Sequence, residues 1–94
     1  MRYTVILENG GWVVWDTIRR EIVTHPATSE EAQETCSRMN ADAVTRPVDP
    51  PVQVDGWGPL GELSLWVWAE DTWWGQVTNK QGVRWVKADD MRPR

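Results

Sequence analysis

The sequence predicts an α+β protein: antiparallel strands and one helix in the N-terminal half, then a small all-β portion forming a barrel or an antiparallel sheet. Three observations predict it. Two β-prone runs flank Asn9-Gly10-Gly11, a helix-capping signature stands at Thr28, and the chain from Leu63 to Lys87 is strand-prone with no helical period.

Tyr3 to Glu8 and Trp12 to Asp16 are rich in β-branched and aromatic residues, and the Asn-Gly-Gly between them tolerates the positive φ of a tight hairpin turn. After a charged turn at Arg19 and Arg20, Glu21 to Thr24 supplies a third short strand. Pro26 ends it, because proline has no N–H for a ladder. In Thr28-Ser29-Glu30-Glu31 the hydroxyl can accept from the Glu31 N–H while the carboxylate reaches back, so a helix starts here. Ala32, Cys36 and Met39 then share one face. The acidic first turn and Arg38 suit the helix dipole, and the helix is expected to stop near Asn40.

Pro47-Val48-Asp49-Pro50-Pro51 is the densest proline cluster and reads as a stiff connector. It divides the chain into a strand and helix lobe over 1–46 and an all-β lobe over 52–94, within one compact folding unit. Beyond it Val52 to Val54 predicts a strand, Asp55-Gly56 and Gly58-Pro59 are turns, and Leu63 to Ala69 is a second strand. Glu70-Asp71-Thr72 reverses the chain. Trp73 to Thr78 and Val83 to Lys87 form a hairpin around Asn79-Lys80-Gln81-Gly82, and Ala88-Asp89-Asp90 predicts one helical turn.

The 94 residues hold eight Trp, one Tyr and no Phe, so almost all large apolar surface comes from a ring that also carries an N–H donor. Ten basic and 14 acidic residues give a net charge of -4, which disfavours holding phosphate backbones. Split after Arg46, the two halves each carry five basic and seven acidic residues, so neither is a basic arm. Cys36 alone cannot form an internal disulfide, and no long apolar run marks export or a membrane span. A cytoplasmic address is expected.

The segment Asp71 to Arg92 joins Asp-Thr-Trp-Trp-Gly-Gln-Val, a Gly-containing turn, Val-Arg-Trp-Val and Ala-Asp-Asp-Met-Arg. It resembles the second half of Src-homology-3-type small barrels, which carry a Trp-Trp pair, a hairpin and one helical turn before the last strand. The resemblance implies a barrel. It does not extend to proline-peptide recognition, because Gly75 follows Trp74 directly and the family's late Pro and Asn-Tyr pair are absent. The first half, with Asn-Gly-Gly-Trp-Val-Val-Trp-Asp and Thr-Ser-Glu-Glu-Ala, looks like small proteins of actinobacteria and their phages. Its strand-strand-strand-helix order is also similar to the arm-binding domains of phage-type tyrosine recombinases, which read DNA with the sheet.

Strict alternation through Leu63 to Ala69 puts Leu63, Leu65 and Val67 on one face and Ser64, Trp66 and Trp68 on the other. Trp74 in the next strand is then expected beside Trp66 and Trp68, giving an aromatic partner-binding surface with Asp71 at its margin. Packing of the same rings between lobes is the competing reading. Arg84, Lys87, Arg92 and Arg94 are the densest basic group; with Trp74 and Trp85 they suit a single-stranded nucleic-acid platform, offset by Asp89 and Asp90. His25 and Cys36 have no third orienting group, and one His with one Cys makes no His/Cys metal site, so no catalytic residue, metal or cofactor is assigned. The expected function is non-enzymatic protein binding, to another protein or a second copy, with nucleic acid as the alternative and no membrane role.

Overall fold

The computed structural model of the protein describes residues 1–93. Two compact units meet at the Ala43–Val44 peptide. In the first, β1 (Tyr3–Glu8), β2 (Gly11–Asp16) and β3 (Glu21–Thr24) form an antiparallel sheet in that order, followed by α1 (Ser29–Asp42). Asn9 and Gly10 take φ of 51° and 77°, the paired positive values of the turn whose twist matches the strands. Helix α1 is capped as its sequence requires: Thr28 Oγ1 accepts from the Glu31 N–H at 3.1 Å, and Glu31 Oε2 accepts from the Ala27 N–H at 3.2 Å. Ala32 and Cys36 are buried and Met39 half-buried, so the expected face is the packed one. Near its end, Asn40 accepts from the Tyr3 N–H and donates to the Tyr3 carbonyl, tying α1 to β1. The helix runs past Asn40 to Asp42, which leaves no basic residue in its last turn.

The second unit is a five-stranded antiparallel sheet. Its strands are β4 (Thr45–Asp55), β5 (Gly61–Ala69), β6 (Thr72–Asn79), β7 (Gly82–Lys87) and β8 (Arg92–Pro93), in the order β7-β6-β5-β4-β8. The expected connector at 47–51 is thus inside β4, and the boundary of the first unit falls at Ala43 rather than Arg46. The physical reason is visible in the register. Pro47 pairs with Leu65 and Val52 with Leu63, so Val48 to Pro51 bulge out of the ladder where missing N–H groups cost nothing, and the Asp49–Pro50 peptide is cis.

This sheet is curled. A flat five-stranded sheet would hold its edges roughly 19 Å apart, yet residues 88–91, including the 3₁₀ turn Ala88–Asp90, join edge strand β7 to edge strand β8. A 3₁₀ turn advances only about 2 Å per residue. Gly56, one residue past β4, also lies so close to β7 that a Cβ there would sit 3.4 Å from Val86 Cγ1. Inside the curl Val54, Leu63, Val77 and Val86 form the buried cluster, with Val48, Trp57, Trp66 and Met91 packed on it. Gly75 makes room for this packing, since a Cβ there would meet Met91 Cε at 2.5 Å, Leu63 Cδ1 at 2.6 Å and Trp66 Cζ3 at 3.2 Å. Among the described residues no helix is long and apolar enough to cross a membrane.

Candidate functional site

The core of each unit is aliphatic: Val13, Val14, Ile18, Ala32 and Cys36 in the first, Val54, Leu63, Val67, Ala69, Val77 and Val86 in the second. None of the eight indoles is fully buried, and all eight lie among the described residues. Seven are half-buried. Trp68, at 41% exposure, is the most open of them.

The register decides which rings meet. Across β5 and β6, Leu63 faces Val77, but Leu65 faces Gln76, so Ser64 is an extra residue in β5 and inverts the alternation beyond it. Trp66 consequently lies opposite Gly75 and Trp68 opposite Trp73, on the concave face with Leu63 and Val77. Trp74 lies opposite Val67, on the other face. The expected Trp66, Trp68 and Trp74 surface is therefore split: Trp66 and Trp68 stay together, Trp73 joins them, and Trp74 is excluded.

Trp68 and Trp73 make an edge-to-face pair, ring centroids 5.3 Å apart and planes at 70°. Arg46, paired with Trp66 across β4 and β5, lays its guanidinium over Trp73 at 5.0 Å from the ring centroid. The backbone N–H of Trp68 donates to the Val44 carbonyl at 2.9 Å, which brings the exposed Val44 to the same margin. Trp66 is the inner member of the group, packed on the aliphatic cluster. Asp71 is exposed in the two-residue turn between β5 and β6, where Glu70 and Asp71 take φ of 52° and 59°. That conformation makes Asp71 part of the hairpin turn itself.

The basic residues also divide. Trp85 pairs with Gln76 and Lys87 with Trp74, so Trp74, Trp85 and Lys87 share the convex face, Lys87 Nζ standing 5.3 Å from the Trp74 ring centroid. Arg84 pairs with Val77 on the opposite face and stacks over Trp57 at 4.7 Å. Arg92 belongs to β8, opposite Asp55 at the far edge of the sheet. Arg94 lies outside the described residues. The expected basic platform is thus reduced to Lys87 between two half-buried indoles.

Arg46, Trp73 and Trp57 escaped the sequence reading. Arg46 closed the supposed first lobe, and Trp73 was set apart from Trp68 by an alternation that counted Ser64 as an ordinary ladder residue. A lone small polar residue inside an otherwise apolar strand was the available signal for the bulge.

Asp16 and Cys36, both in the first unit, are shifted from their ordinary pKa values. Burial pushes the Cys36 thiol up, opposed by the Asn40 amide donating to Sγ at 3.5 Å. Burial would raise the Asp16 carboxyl too, but the Arg2 guanidinium and the backbone N–H groups of Arg19 and Ile18 outweigh it and hold Asp16 below its usual value. Among the described residues no three His, Cys, Asp or Glu side chains are grouped to hold a metal ion. Compared with protein-family models, with curated proteins and with solved structures, the chain finds no match.

Proposed function

We propose that this chain is a non-enzymatic protein-binding module whose second unit is a small barrel of the Src-homology-3 type, and that its contact surface centres on Trp68 and Trp73. One observation carries the reading: the aliphatic cores close without any fully buried indole, and Trp68 stays 41% exposed beside an exposed Val44. Aromatic side chains left half-open around a finished core are the anchors of protein interfaces. The barrel is supported by the strand order, the curl, and the 3₁₀ turn that precedes the last strand. The alternative, a nucleic-acid accessory protein, draws on Trp74, Trp85 and Lys87 alone, which supply too few cations for a phosphate track in a chain of net charge -4.

The test compares Trp68→Ala with Val77→Ala, the latter in the core at 0% exposure. Val77→Ala should cost about 2 kcal/mol in denaturant unfolding. Trp68→Ala should cost about 1 kcal/mol or less yet abolish retention of a protein partner captured by the unchanged chain from its native cells. Tight, steeply salt-dependent binding of single-stranded oligonucleotides, with no protein retained, would replace this reading by the alternative.

A further inference from the structure

Hydrogen bonds at the start of β1 fix which of its backbone groups point away from β2. The Arg2 carbonyl accepts from the Thr17 N–H at 2.9 Å, on the β2 side, whereas the Tyr3 N–H and carbonyl both bond the Asn40 side chain, at 2.9 and 3.0 Å. Successive residues of a strand direct their N–H and C=O to opposite sides, so Thr4, Ile6 and Glu8 face β2 while Tyr3, Val5 and Leu7 face outward. Asn40 satisfies Tyr3. Among the described residues no strand pairs with this outer edge, which leaves the backbone groups of Val5 and Leu7 open beside a Leu7 side chain that is 62% exposed. The other edge strands carry features that discourage pairing. Strand β3 has four residues, starts at Glu21, ion-paired with Arg19, and its ladder with β2 is interrupted between Val14 and Trp15. Strand β8 has two residues, and β7 carries Arg84 and Lys87. Strand β1 has no charge, proline or glycine from Tyr3 to Leu7, and its register with β2 is unbroken.

We infer that β1 is a self-pairing edge: two copies of the chain join through antiparallel β1 strands about a two-fold axis at Ile6, merging their three-stranded sheets into one. The occupant follows from the register. Centred on Ile6, Val5 exchanges both hydrogen bonds with Leu7 of the second copy, and Leu7 does so with the second Val5, so each open group is used. Centring on Val5 would set Leu7 against Tyr3, already held by Asn40, and centring on Leu7 would set Val5 against Asn9, in the turn at φ 51°. The Ile6 register also covers the exposed Leu7 with Val5 on one face and places Thr4 opposite Glu8 on the other, so no like charges meet. This edge shares no residue with the Trp68 and Trp73 surface and stands independently of it.

Sedimentation of the full chain over a range of concentrations tests the inference. The measured mass should climb from that of one chain toward that of two, and a mass that stays at one chain up to about 1 mM overturns it. Leu7→Lys, at an exposed position, should leave the urea unfolding curve of the dilute chain in place and weaken dimerisation roughly tenfold or more. Val5→Pro removes an outward donor that no group within the chain accepts, and should weaken dimerisation likewise. In hydrogen exchange the Val5 and Leu7 amides should gain protection as the concentration rises, while those of Thr4 and Ile6, bonded to β2, are protected throughout. If the chain dimerises but Leu7→Lys associates as the parent does and Trp68→Ala is monomeric, the copies meet at the indole surface and the edge inference falls.

Discussion

Asp16 carries more of the first unit's order than its place at the end of a strand suggests. It is 2% exposed, and its two oxygens accept from Arg2 Nε at 3.2 Å and Arg2 Nη2 at 2.8 Å. Oδ1 also accepts from the N–H groups of Ile18 and Arg19 at 3.0 and 3.2 Å, which folds the turn into β3. A bidentate, nearly dry pair is stabilising only while both partners are present. Asp16→Asn keeps an acceptor for the turn but removes the negative charge set against the mostly buried guanidinium. The variant should lose about 3 kcal/mol of unfolding free energy, measured by urea titration. A loss below about 1 kcal/mol would mean that Arg2 reaches water once its partner is gone.

The elements follow their local signals where turns and caps are concerned. Both residues of the β5–β6 turn adopt positive φ without being glycine, and this is the conformation that matches the twist of a two-residue hairpin. Asp71→Gly should therefore raise the unfolding free energy by about 0.5–1 kcal/mol. The same variant examines the role first given to Asp71: partner binding that survives it assigns the residue to the turn. Where elements depart from expectation, backbone packing is the cause. Strand β4 absorbs three prolines because its ladder is interrupted between Pro47 and Val52, opposite the same Ser64 that interrupts β5 and β6. One shared irregularity thus curves three strands and turns Trp68 toward Trp73 instead of Trp74.

The two units differ in how acid should act on them. Asp16 is the one charged residue in the buried class among those described, and its carboxyl is held below the usual range. A depressed carboxylate contributes stability that is complete above the unfolded value, near 3.9, and is lost as pH falls through the folded one. Hydrogen exchange followed below about pH 4 should find the amides of β1 and β2 losing protection before those of β5 and β6. Simultaneous loss in both units would show that they unfold as one body and that the Arg2–Asp16 pair supports the whole chain.

Chain order alone was enough for the class, the strands β1, β2, β3, β6 and β7, the capped helix and the closing 3₁₀ turn, because each rests on neighbours a few residues apart: Asn9 before Gly10, Thr28 before Glu31, Asn79 before Gly82. The register of β5 was not legible in this way. Leu63 to Ala69 is apolar at nearly every position, so both faces satisfy the pattern and periodicity cannot say which is inward. Only pairing with β4 and β6, residues far away along the chain, reveals Ser64 as an extra residue. That single insertion decided which indoles share a face, and with it the partnership of Trp68, Trp73 and Arg46 on which the binding surface depends.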